Sequence, residues 1–220
     1  MKKIFQYLAG NLLLILLLVT GCNRNPSQQG GEGIDATDSA VSTTESSEQG
    51  PPSQPLPPEQ MEATEDALRQ AALDGMTQQV KMLLASGVDP DVADPDGHTP
   101  LMLSAFNGHS AIVLELIAGG ALVDRKDQLG RTALLYAATG PFPETVKILL
   151  DKGADPNIVD AGEHFTPLMH AAAEGNLDVV RILVESGADP ALRDVDNDDA
   201  ETFAREAGHL EVAELLHNLR

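Results

Sequence analysis

Cysteine occurs once in 220 residues, so no disulfide within the chain can hold the fold together. Tryptophan is absent, and there are only two Tyr and five Phe. A core must therefore come from Leu, Ile, Val, Ala and Met. Bases are also scarce: 14 Lys and Arg stand against 34 Asp and Glu, a net charge of −20. Nucleic acid is held by cations that neutralise phosphates, so this balance argues against it as a partner. It argues equally against broad adhesion to anionic lipid. Long apolar runs are missing too. The longest uninterrupted one, Leu12 to Val19, has eight residues, whereas a spanning helix needs about 20.

What surrounds that run gives it a meaning. Lys2 and Lys3 precede it and small residues close it, which is the order of a secretory signal peptide. A single uncleaved anchor is the competing reading, and the shortness of the run counts against it. Val19-Thr20-Gly21-Cys22 follows at once. This segment resembles the lipobox of bacterial lipoproteins: a branched apolar residue, a small residue, Gly, then Cys. The resemblance covers residues 1–22. It implies that residues 1–21 are removed, that Cys22 is lipidated, and that the chain is held at a membrane of the bacterial cell envelope, its domain facing the periplasm or the exterior. Two or more acyl chains are needed for stable anchoring. Asn23 is not the Asp associated with inner-membrane retention, which points to the outer membrane where the host has one.

Between Asn23 and Gln60 the composition turns to Ser, Gln, Gly, Pro, Thr and Glu. Such a segment buries too little apolar surface to offset its ordering entropy. Residues 22–60 therefore read as a lipidated cysteine followed by a disordered tether, with an end-to-end distance of about 35 Å.

The remainder, residues 61–220, is one unit written five times, with copies beginning at 66, 99, 132, 166 and 199. The steps are 33, 33, 34 and 33 residues. Thr99, Thr132 and Thr166 stand where a helix N-cap is needed, and Pro100 and Pro167 follow at the first helical position. Leu101, Leu134 and Leu168 begin a buried face. Gly75, Gly108 and Gly175 end the first helix of their copies. A second helix carries Val80, Val113, Val146 and Val180 with apolar pairs behind them, and Gly87, Gly120, Gly153 and Gly187 supply its C-cap. A turn then follows, tipped by Asp96-Gly97, Leu129-Gly130 and Asp196-Asn197.

The period and the Thr-Pro-Leu motif identify this region as similar to the ankyrin repeat. That resemblance implies an all-α solenoid of helix-turn-helix units with β-turn or hairpin fingers, because no single unit can bury its apolar face alone. Departures from the pattern carry expectations. The first copy lacks Thr-Pro-Leu. The last has Asp199 at the Thr position and Glu201 at the Leu position. Both suit caps. Pro141-Phe142-Pro143 in the third copy is expected to expose Phe142. The fourth copy has one extra residue within 161–165, so its finger should be reshaped.

Chemistry is sparse. The histidines have no zinc-ligand spacing, and no nucleophile motif or phosphate loop is present. Asp194 to Asp199 starts like a calcium loop, but Asp199 and Arg205 occupy the positions where Gly and Glu are required. The chain reads as a non-enzyme without a cofactor or metal centre. The resemblance places partner binding on the fingers and the exposed side of the first helices. Those positions are Asp96, His98, Phe106 and Asn107 in the second copy, and Leu129, Arg131 and Thr139 in the third. The fourth gives Glu163, Phe165 and Glu174, and the fifth Asp196, Asp198 and Glu206. The expected protein is a monomer that holds a protein client on this concave face. The acidity suits a client with a basic patch. An inhibitor or immunity-type protein, neutralising an envelope enzyme or toxin with the same fold, is the alternative.

Overall fold

The computed structural model describes residues 58–219, with side chains from Thr64 onward. Cys22 and the lipobox-like segment lie outside the described residues. Among those residues there are ten helices and no strand. They run in antiparallel pairs: α1 (Pro58–Leu73) with α2 (Thr77–Ala85), α3 (Pro100–Phe106) with α4 (Ser110–Ala118), and α5 (Ala133–Ala138) with α6 (Pro143–Asp151). The last two pairs are α7 (Pro167–Ala173) with α8 (Leu177–Glu185), and α9 (Ala200–Ala207) with α10 (Leu210–His217). Odd-numbered helices form an inner layer and even-numbered ones an outer layer. No helix among the described residues is long and apolar enough to cross a membrane.

The inner helices α3, α5, α7 and α9 are too short to persist alone. Each of these four is started by a side chain that satisfies an orphan N–H. Met102 N–H donates to Thr99 Oγ1 at 3.3 Å, Leu135 N–H to Thr132 Oγ1 at 3.4 Å, and Met169 N–H to Thr166 Oγ1 at 3.1 Å. Asp199 takes over this role in the last repeat, accepting Thr202 N–H at 3.0 Å. Tertiary burial then does the rest. Leu101, Leu134 and Leu168 are at most 1 % exposed, and Ala105, Ala138 and Ala172 are fully buried, so neighbouring inner helices meet with their small side chains between them. Glu201 follows the same register. It is buried in place of a leucine, and its Oε1 is held by Arg205 at 2.6 Å and His217 at 3.3 Å. The outer layer is joined by Ser110–Thr145 at 2.8 Å and Lys81–Glu115 at 3.0 Å.

The joints between repeats have a recurring design that corrects one expectation. Phe142 is not exposed. It is half-buried, and its ring lies across Gly108 and Gly140. A Cβ on Gly108 would stand 2.3 Å from Phe142 Cδ1. His109 covers Gly75 in the same way, 2.9 Å from the position of a Cβ, and His209 covers Gly175 at 2.4 Å. Proline before Phe142 stiffens the turn, but the ring still drops into the notch its register assigns it. The apolar ring gains more from that backbone surface than from water. The joint between the third and fourth repeats lacks this arrangement: the equivalent residues are Pro141 and Asn176.

Candidate functional site

The concave face begins with four aspartates that precede the inner helices at the repeat spacing: Asp94, Asp127, Asp160 and Asp194. Asp94 Oδ1 accepts N–H groups from Asp96 at 2.9 Å and His98 at 2.8 Å. Asp127 Oδ1 accepts from Leu129 at 2.8 Å and Arg131 at 2.9 Å, and Asp194 Oδ1 from Asp196 at 3.0 Å and Asp198 at 2.7 Å. Each finger is thus a turn wrapped around a carboxylate, which needs no strand. The fourth finger is looser. Its extra residue leaves Asp160 Oδ1 accepting Phe165 N–H at 3.3 Å, and His164 adopts φ 62°, the left-handed region. Asn197, at φ 69° in the fifth finger, holds the place that Gly97 and Gly130 hold in the second and third.

Neighbouring fingers are stitched by backbone. Gln128 N–H donates to Asp96 O at 3.0 Å, Ala161 N–H to Leu129 O at 2.8 Å, and Val195 N–H to Glu163 O at 3.1 Å. The Gln128 side chain adds a bond to Pro95 O. The fingertips therefore form a pre-ordered ridge.

Behind the ridge lies a floor of rings. Tyr136 OH donates to Asp127 Oδ2 at 2.6 Å. His98 stands edge-on to Tyr136, with centroids 6.0 Å apart, and Phe106 packs on the same ring at 6.2 Å. The Arg131 guanidinium lies 5.7 Å from the Tyr136 centroid. Phe165 packs edge-on against His170 at 5.6 Å and Phe203 at 5.2 Å. Tyr136 and Phe203 carry no functional signal of their own in the sequence, and His170 reads there only as a residue inside a first helix near the core, where it is indeed buried. All three stand at one repeat position, four residues after the N-cap, equivalent to Leu103. That register could have revealed them.

Charge in this floor is arranged within the protein. Burial works against an imidazolium at His98. Even so, the hydrogen bond to Asp94 (Nδ1 to Oδ2, 2.8 Å) and the charges of Asp94, Asp127 and Asp96 raise its pKa above the usual value. Burial likewise lifts the Asp94 carboxyl, but His98 outweighs it and holds it below the usual carboxylate value. His170 is pushed down to about 3, by burial first and then by the Arg131 charge, so it is neutral at ordinary pH. Asp94, Asp96 and His98 bring three ligand-capable atoms within 4.8 Å of one another. Both Asp94 oxygens already accept N–H groups of the finger, so this trio serves the turn. The Asp94, Asp127 and Asp194 carboxylates are committed to the turns, and what the face offers outward is shape, the half-buried rings of Phe106 and Phe165, and the negative charge of exposed carboxylates such as Asp96 and Glu163.

The expected binding residues divide accordingly. Asp96, Leu129, Glu163, Asp196 and Glu206 are exposed. Phe106, Asn107, Arg131, Thr139, Phe165, Glu174 and Asp198 are half-buried. Asn107 Nδ2 is spent on Leu73 O at 2.8 Å, and Phe106 and Phe165 are partly engaged in the ring floor. His98 is buried and belongs to the joint between the second and third repeats.

The ankyrin-repeat family model matches residues 68–160 and 142–219, so the chain belongs to the ankyrin-repeat family. It is similar to an ankyrin repeat and KH domain-containing protein of Caenorhabditis elegans, 35 % identical over 104 residues. Those residues are 46 % of this chain and 4 % of the relative. It is also similar to human SH3 and multiple ankyrin repeat domains protein 1, 39 % identical over 98 residues, 44 % of this chain and 4 % of the relative. A mouse ankyrin repeat and SAM domain-containing protein is 42 % identical over 66 residues, 30 % of this chain and 8 % of the relative. The chain thus aligns with only a small part of each relative's length. The fold that is shared is an interaction scaffold.

Proposed function

We propose that the chain is a lipid-anchored ankyrin module of a bacterial cell envelope, which binds a protein client on its concave face. The observation that carries the binding reading is the stitched ridge, a pre-ordered surface with Asp96, Leu129 and Glu163 exposed at its tips. Pre-ordering lowers the entropic cost of association. The anchoring reading rests on Val19 to Cys22 and the charged start before it. A tether of polar residues gives reach, and confinement at a membrane raises the effective concentration of a client in the same compartment. The acidic domain favours a client with a basic patch and speeds encounter at low salt. The outer membrane is the proposed location where the host has one, with the protein acting as a monomer.

Two experiments test this reading. Cys22→Ser should release the protein from membranes or leave the precursor uncut; a variant that fractionates like the parent and takes up no acyl label in either form refutes the anchor. The full-length chain should capture a client from envelope extracts and lose it when Glu174→Lys and Glu206→Lys are combined. A folded double variant that retains every captured protein refutes the concave face.

A further inference from the structure

Immediately before the N-caps of α3, α5, α7 and α9 stand His98, Arg131, Phe165 and Asp198. Among these four, the joint between the second and third fingers alone receives a histidine. Its ring is buried, and its two nitrogens face different repeats. Nδ1 lies 2.8 Å from Asp94 Oδ2 on its own finger, and Nε2 lies 3.9 Å from Asp127 Oδ2 on the next. A carboxylate can only accept, so Nδ1 keeps its hydrogen in both charge states of the ring. The proton that comes and goes near neutral pH is therefore the one on Nε2. With it, the ring is a cation between two carboxylates, one on each finger, and burial limits the screening of both attractions. Without it, an Nε2 lone pair faces Asp127 and the attraction between the fingers is lost.

We propose that His98 is a proton-operated lock between the second and third fingers, closed when Nε2 is protonated and released when it is not. Its effect on the client rests on the concave-face reading. The two fingers meet closely at this point. Gln128 N–H donates to Asp96 O at 3.0 Å, and a Cβ on Gly97 would stand 3.0 Å from Asp127 Cα. Asp96 and Leu129, exposed at the two tips, hold their relative positions through this contact. Burial opposes the imidazolium, but the hydrogen bond to Asp94 and the charges of Asp94, Asp127 and Asp96 outweigh it. Arg131 Nε, 3.8 Å from the same Asp127 oxygen, opposes it as well, and Tyr136 OH donates to that oxygen at 2.6 Å. Three carboxylates against one guanidinium leave the balance with the charged ring. Client binding to the fixed ridge consequently takes up a proton, and affinity falls as pH rises through the His98 titration.

The test uses the full-length chain in detergent, between about pH 6 and about pH 8. Long-range proton–nitrogen spectra of the histidine rings should show His98 keeping its proton on Nδ1 throughout. The Nε2 proton should be lost with a midpoint above the ordinary value of about 6.5. Amide exchange at Gln128, corrected for the intrinsic effect of pH, should lose protection over the same interval. Ala161, whose N–H bridges the next pair of fingers at 2.8 Å, should show no such step. His98→Gln, which cannot titrate, should abolish the step at Gln128. Titration at Nδ1 instead of Nε2, or protection at Gln128 that ignores the charge on His98, overturns the lock; both are read on the parent, so they decide even where the variant is unstable. Client capture from envelope extracts should be stronger at about pH 6 than at about pH 8, and the difference should vanish in His98→Gln. A step at Gln128 beside capture that ignores pH overturns the action on binding. A step without capture at either pH leaves the lock standing and removes the concave face instead.

Discussion

The joint between the second and third repeats and the joint between the third and fourth are built from the same template but secured differently. At the first, the Phe142 ring fills the notch over Gly108, and His98, Asp127 and Tyr136 tie the fingers together. At the second, Pro141 and Asn176 take the places of glycine and ring. Asp160 grips an enlarged finger through a 3.3 Å bond to Phe165 N–H, where Asp127 holds two N–H groups at 2.8 and 2.9 Å. A solenoid's stability is close to a sum of unit and interface terms. Unequal joints therefore imply that the stack opens first where it is least secured.

The largest effect should come from crowding the ring joint. Gly108→Ala forces a side chain onto a residue at φ 69° and drives its Cβ into Phe142. Left-handed strain and overpacking together should cost about 2–4 kcal/mol in urea unfolding. Gly87→Ala is the control. Its φ is 90°, but a Cβ there meets nothing within 4 Å, so the strain alone, about 1–2 kcal/mol, should appear. Equal losses at the two sites would mean that the ring contact is not what secures the joint.

A second comparison separates the fingers. Asp127→Ala strips Leu129 N–H, Arg131 N–H and the buried Tyr136 hydroxyl of their acceptor, and should cost about 2–3 kcal/mol by thermal or chemical unfolding. Asp160→Ala gives up a weaker bond in a more open finger and should cost about 1 kcal/mol. The reverse order would break the assignment of the third-to-fourth joint as the weaker one.

These two comparisons also mark how far the sequence could be read. The five-unit stack was legible because Thr, Leu and Gly recur at 33-residue steps, and each does a local job that needs no knowledge of the neighbours. The Asn197 turn was legible for the same reason: it occupies a position where glycine is the rule. The face was less so. Phe142 follows a proline in a hydrophilic turn, and nothing local says that a notch over Gly108, 34 residues earlier, is waiting for its ring. Phe106 and Phe165 look like free anchors until Tyr136 and Phe203 are seen to pack against them. His98 reads as a fingertip residue and is in fact enclosed by two carboxylates, one from each adjoining repeat. What the sequence concealed is contact between units, which depends on how they stack.

Acid should act oppositely on the two joints. His98, between Asp94 and Asp127, with Asp96, Tyr136 and Arg131 nearby, has a raised folded-state pKa. Its contribution is complete below the unfolded value near 6.5 and is lost as pH rises through the higher folded value. His170, facing Phe165 and the charge of Arg131 from the third repeat, is depressed to about 3. Its contribution is complete above about 6.5 and is lost as pH falls toward about 3. Lowering pH from 8 to about 6 should therefore favour the parent over His98→Gln. Further acidification should favour His170→Phe, by up to about 1.4 kcal/mol per pH unit. Parallel pH profiles for the parent and both variants would show that neither imidazole is coupled to its joint.

The smallest effect is expected at Asn176, and it tests whether the third-to-fourth joint holds anything comparable to a ring. Asn176 starts α8 without a side-chain capping bond, and its Nδ2 is buried with no hydrogen-bond partner. Removing a buried donor that is already unsatisfied offsets the lost packing of a small side chain, so Asn176→Ala should change stability by less than about 0.5 kcal/mol. His209→Ala, at the same position of the next repeat, uncovers Gly175 and leaves a void where an imidazole packed, for a loss of about 1–2 kcal/mol. Both changes remove a side chain at the start of an outer helix, so helix propensity cancels between them and the difference reports the ring. Amide exchange should agree: the alanine at residue 209 should loosen α9 and α10, while the one at residue 176 leaves protection across α6 and α8 as it was. A loss at Asn176 as large as that at His209 would show that the joint without a ring is secured by a contact of its own.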